Sequence, residues 1–105
     1  MPEYVAALEI KVRALLHLNR ASDALSVADQ SLAIAMEMRA LPMVWRLLEV
    51  RGRALLSLGQ KAAAQQAFQA ASETVQRLAD SISDDTEKRE FLASPEVASA
   101  GRKHL

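Results

Sequence analysis

Glu9 precedes Arg13 by four residues and Glu49 precedes Arg53 by four. In that order a carboxylate and a guanidinium meet along one helix face, which stabilises an isolated helix by about 0.2–0.5 kcal/mol per pair. The same spacing serves a solvated helix face or a surface that grips a partner's charges. Catalytic groupings, by contrast, lack members. Neither His17 nor His104 follows a Glu by three residues, the spacing of carboxylate-bundle metal helices. Asp84, Asp85, Glu87 and Glu90 sit beside Lys88 and Arg89 in a polar segment, where carboxylates stay solvated and act as capping and solubility residues. Serines and threonines occur without a glycine elbow or a base, and no Gly-rich run is present to cradle a phosphate. With 0 Cys there is no thiol nucleophile, thiolate zinc site or disulfide. The expectation is a protein that is not an enzyme and takes no cofactor and no metal.

The elements that position these charges are helical. At 105 residues the chain allows one small domain, 1–105, or a few copies of a smaller unit. It is 50% apolar and 25% charged, the usage of a packed domain rather than a disordered segment. Ala, Leu, Glu, Gln, Arg and Met dominate, and 3 Gly and 3 Pro are too few for the turns of a β-sandwich, so the fold class is all-α. The 13 basic residues balance 13 acidic ones, which removes the positive excess that drives nucleic-acid binding. No apolar run nears the roughly 18 residues of a membrane span, and Met1-Pro2-Glu3-Tyr4 does not begin a signal peptide. No nucleic acid, no membrane and a cytoplasmic location are expected.

Sliding the sequence by 40 residues superposes Leu8–Leu18 on Leu48–Leu58 with 7 of 11 positions identical. Pro2 and Pro42 open the two segments, where a preset φ and a missing N–H suit the first helical turn. Asn19 and Gly59 close them, being the residue types that most readily turn left-handed. A second helix follows in each copy, from Ser22 to Met38 and from Lys61 to Ile82. Ala64, Phe68, Ala71, Val75, Leu78 and Ile82 form one apolar stripe, matched in the first copy by Ala24, Ala28, Leu32 and Ala35, with Leu25 and Met36 widening it. Asp84 with Glu87 three residues on predicts a capping box and a helix from Asp85 to Ala93. Ser94-Pro95 then starts one or two further turns before Gly101, and residues 102–105 fray. Repeat 1 thus covers about 3–40, repeat 2 about 42–82 and the capping helix about 84–100. Met36, Met38, Met43 and Trp45 fall at the junction between copies, where inter-repeat core packing is expected ahead of the other reading, an adaptable partner surface.

Leu48, Gly52, Leu55, Gly59, Ala64, Phe68 and Ala71 resemble, in type and spacing, the tetratricopeptide repeat (TPR). Leu8, Val12, Leu15, Asn19, Ala24, Ala28 and Ser31 hold the same places in the first copy. The family's aromatic first anchor and the usual Tyr at Leu55 are missing. The resemblance implies right-handed antiparallel helical hairpins, here two hairpins plus a C-terminal capping helix. A period of 40 against the family's common length of roughly 34 implies second helices about a turn and a half longer. The set is similar to the long repeats of bacterial multidomain signalling ATPases, cyclases and transcriptional regulators, and Glu90–Val97 to the chain ends of such proteins.

That resemblance implies a non-catalytic scaffold for protein–protein interaction, the C-terminal part of a larger signalling or regulatory protein, which binds a protein or peptide in the groove of its first helices. The groove residues would be Glu9, Arg13, Leu16, His17, Arg46, Glu49, Arg53 and Leu56. The family's grip on a C-terminal carboxylate needs Lys and Asn where this chain has Glu9/Glu49 and Arg13/Arg53, so that activity is not expected. Stacked repeats also need end caps. Phe91 and Leu92 would cap the last hairpin, while Tyr4, Val5 and Leu8 border an uncapped N-terminal face, open to an upstream repeat or a homo-oligomer. The competing reading is a helical-bundle homodimerisation module with no separate ligand.

Overall fold

The computed structural model describes residues 3–95 and 97, with side chains from residue 7 onward and that of residue 96 excepted. The expectations for Pro2, for the side chains of Tyr4 and Val5, and for residues 98–105, including the end of the capping helix, lie outside the described residues. The described chain forms five helices, α1 (Glu3–His17), α2 (Ala21–Glu37), α3 (Leu41–Ser57), α4 (Lys61–Ser81) and α5 (Asp85–Ala93), with no strand among the described residues.

Three short turns of one design join α1 to α4. Asn19, Arg39 and Gly59 take φ of 60°, 55° and 78°. The N–H groups of Arg20, Ala40 and Gln60 each reach back 2.9 Å to the carbonyls of Leu15, Ala35 and Leu55. Those of Asn19, Arg39 and Gly59 reach Leu16, Met36 and Leu56. These are the paired bonds of a Schellman motif, which satisfy carbonyls that a helix end leaves open. The next helix starts at once, so 40 residues divide into halves that begin at 21, 41 and 61. Asn19 and Gly59 are the expected stops. Arg39 is the third left-handed residue. An L side chain there is disfavoured by about 1–2 kcal/mol, whereas glycine is not. Arg39→Gly is expected to raise stability by about 1 kcal/mol and Gly59→Ala to lower it by a similar amount. Urea midpoints check both, and unchanged midpoints would mean the turns relax out of the left-handed region freely.

Each helix packs on its successor, and α1 also touches α3. The α4 stripe is buried at Ala64, Phe68, Ala71 and Val75, and half-buried at Leu78 and Ile82. In α2 the buried line is Ala24, Ala28, Ser31, Ala35, in steps of four, three and four. Ser31 takes the place expected for Leu32, which is half-buried on the flank, and Met36 is exposed because it lies beyond that line. The Ser31 hydroxyl donates to Val27 O at 2.7 Å and Thr74 to Ala70 O at 2.8 Å, so both buried hydroxyls are satisfied within their helices. The lengthening expected of both second helices occurs in α4, with 21 residues, but α2 has 17, the same as α3.

Of the junction residues, Met43 and Trp45 join the core while Met36 and Met38 stay on the surface. α5 begins where expected: Asp84 Oδ1 accepts from Glu87 N–H at 3.0 Å, a bond that satisfies an open donor of the first turn. It rests on α4, with Phe91 and Leu92 half-buried against the main core and Lys88 Nζ 3.4 Å from Asp80. Ser94 Oγ accepts from Val97 N–H at 3.4 Å, and Val97 is buried. No helix among the described residues is long and apolar enough to cross a membrane.

Candidate functional site

The residues that repeat at the 40-residue offset converge. Glu9, Arg13, Arg46, Glu49 and Arg53 line one cleft of about 350 Å³ between α1 and α3, with Trp45 and Pro95 completing its wall. Helical spacing explains the charged faces: residues four apart on α1 and on α3 stack one above the other. The contact of α1 with α3 then sets the two pairs side by side. Arg13 Nη2 lies 3.1 Å from Glu9 Oε1, a hydrogen-bonded ion pair. Arg53 Nη2 lies 2.6 Å from Glu49 Oε1, an ion contact whose angles are not those of a hydrogen bond.

Both pairs point the same way. The Glu9 and Glu49 side chains are 12% and 5% exposed, those of Arg13 and Arg53 37% and 39%. The acids are therefore sunk at the back and the guanidinium groups stand toward the opening. A carboxylate as deep as Glu49 loses much hydration, and the adjacent Arg53 charge offsets that loss. Arg53 Nε is itself buried without a hydrogen-bond acceptor among the described residues. At the Pro95 end the Arg46 guanidinium carbon lies 5.4 Å from the centroid of the buried Trp45 ring, within range of a cation–π contact. Counting formal charges, three Arg against two Glu leave the cleft one unit positive.

Leu16 and His17 line an adjoining hollow of about 320 Å³ that shares Arg13 and Arg53 with the cleft and adds Ser57. Leu56, expected in the groove, lines neither space and is exposed. Its counterpart Leu16 is half-buried and packs against the main core. Sequence reasoning missed Trp45 and Pro95 as wall residues. Trp45 was legible as core and serves as both. Pro95 carries no local signal, since only the packing of α5 on α4 brings it to the mouth of the cleft.

The arrangement sets hydrogen-bond donors, acceptors and an apolar end side by side. His17 is exposed beside the hollow, outside the Arg–Glu cleft, and no group of three His, Asp or Glu among the described residues is placed to hold a metal ion. Compared with protein-family models, curated proteins and solved structures, the chain matches none.

Proposed function

We propose that the chain is a non-catalytic scaffold of the tetratricopeptide-repeat type that holds a peptide or protein segment in the cleft between α1 and α3. One observation carries this reading: side chains duplicated 40 residues apart, on two different helices, meet in a single cleft with the same in–out orientation. The order of helix contacts supports the repeat architecture, because α3 packs on its own partner α4 and on both helices of the preceding pair. So does Gly52, whose lack of a side chain lets Phe68 lie against the α3 backbone.

The binding mode is preorganisation. Packed helices hold Arg13 and Arg53 against buried acids, so little side-chain entropy is lost when a segment with carboxylate or carbonyl acceptors docks.

A displayed-peptide library selected on the intact chain tests the proposal. Selected peptides are expected to bind the Arg13→Glu/Arg53→Glu variant at least about tenfold more weakly, with helical circular dichroism retained. Arg13→Gln/Arg53→Gln should weaken binding less while keeping the fold. Equal binding to all three proteins, or no enriched peptide, overturns the cleft as the binding site.

A further inference from the structure

The same duplication puts one apolar face in two environments. Ala7, Ile10, Ala14 and Leu18 of the first copy correspond to Leu47, Val50, Ala54 and Leu58 of the second. Leu47, Val50 and Ala54 are 0% exposed. Ile10 is 65% exposed and Leu18 66%, and Ala7 and Ala14 are exposed too. The α1 residues fall three and four apart and draw a stripe about 16 Å long. Leu58, past the end of α3, is 40% exposed. Isolated apolar side chains on a surface are ordinary, but a stripe in register with a twin buried at three of its four positions is not.

The chain itself indicates what covers such a face. On α3 it is covered by the hairpin α1–α2, whose helices both touch α3 and share its core. An ion pair marks the seam, with Arg51 Nε 2.6 Å from Asp29 Oδ1 of α2. Lys11 is the counterpart of Arg51, is exposed, and lies alongside the α1 stripe. On α2, Val27 and Ile34 are half-buried where their counterparts Ala67 and Thr74 are buried.

We propose that this face of α1 receives a further helical hairpin of α1–α2 chemistry, seated on α1 as α1–α2 sits on α3 and continuing the array in the same register. Its contact helix presents small and aliphatic residues and a carboxylate level with Lys11, as Asp29 is with Arg51. This rests on the repeat half of the preceding reading and not on the cleft, so the peptide selection and the following experiment fail independently.

Because the chain has 0 Cys, a single introduced thiol reports the face. Ala14→Cys is made in the 105-residue chain and in an extended protein carrying residues 1–40 once more ahead of Met1, with exposed Ala33→Cys as the reference. In the extended protein the Ala14→Cys thiol is expected to react with a maleimide at least about 100-fold more slowly than in the 105-residue chain, while Ala33→Cys is unchanged. Ile10→Glu, at the new junction, is expected to lower the melting temperature of the extended protein by about 10 °C but that of the 105-residue chain by only about 2 °C. Equal labelling rates in the two proteins overturn the proposal. So does slow labelling of the 105-residue chain that quickens on dilution alongside a dimer in sedimentation, which assigns the face to a second copy.

Discussion

Phe68→Ala is expected to remove about 3–5 kcal/mol of folding free energy, at the upper end of single-residue effects. Phe68 is 1% exposed and is the one large side chain in a cluster with Leu55, Ala64 and Ala67, flanked by Leu25 and Ala63. Three of those five residues are alanine, so little can lean into the space a lost ring leaves. The cavity term therefore adds nearly in full to the lost transfer energy. Domains of this size are stable by only about 5–15 kcal/mol, and the melting temperature should fall on the order of 15–30 °C. A loss below about 1 kcal/mol would show that α3 and α4 close over the site, contrary to the packing described above.

Gly52→Ala is the second large effect, and its sign depends on Phe68. A Cβ at residue 52 would stand 2.7 Å from Phe68 Cδ1 and Cζ and closer still to Cε1. The ring is enclosed by its alanine neighbours, so α3 and α4 must separate. Overpacking of this kind costs about 1–3 kcal/mol, against about 1 kcal/mol gained from replacing glycine in a helix. Gly52→Val should cost more, because its two methyl groups project into the same ring.

The first copy shows the alternative solution: Val12 and Ala28 occupy the positions equivalent to Gly52 and Phe68, and both are 0% exposed. Bulk has been moved from one helix to the other at the same crossing. Combining Gly52→Val with Phe68→Ala should therefore give a protein more stable than either single variant, with a coupling of about 2–3 kcal/mol in a double-mutant cycle. Additive losses would mean that the two residues do not share one space.

Much of this was legible in the residues because it is local. Asn19 and Gly59 end helices by their own tolerance of positive φ, Asp84 caps α5 with its own carboxylate, and the Ala64–Phe68–Ala71–Val75 stripe follows from 3.6 residues per turn. The bounds of α2, α4 and α5 accordingly fall within a residue of expectation. The two charged pairs of the cleft were legible for the same reason, being four apart on single helices.

The remainder required the tertiary structure. Arg39 has no intrinsic preference for the left-handed region, and takes it because the chain must reverse between two packed helices at that point. Met36 and Met38 have the composition of core and are left outside it, while Pro95 reaches the cleft only through the seating of α5. The sharpest case is the duplicated face itself. Ile10 and Val50, or Ala14 and Ala54, are chemically near-equivalent and locally indistinguishable, yet one member of each pair is exposed and the other buried. Periodicity determines which side of a helix is apolar; burial depends on whether another helix lies against that side, a contact between residues far apart in the chain.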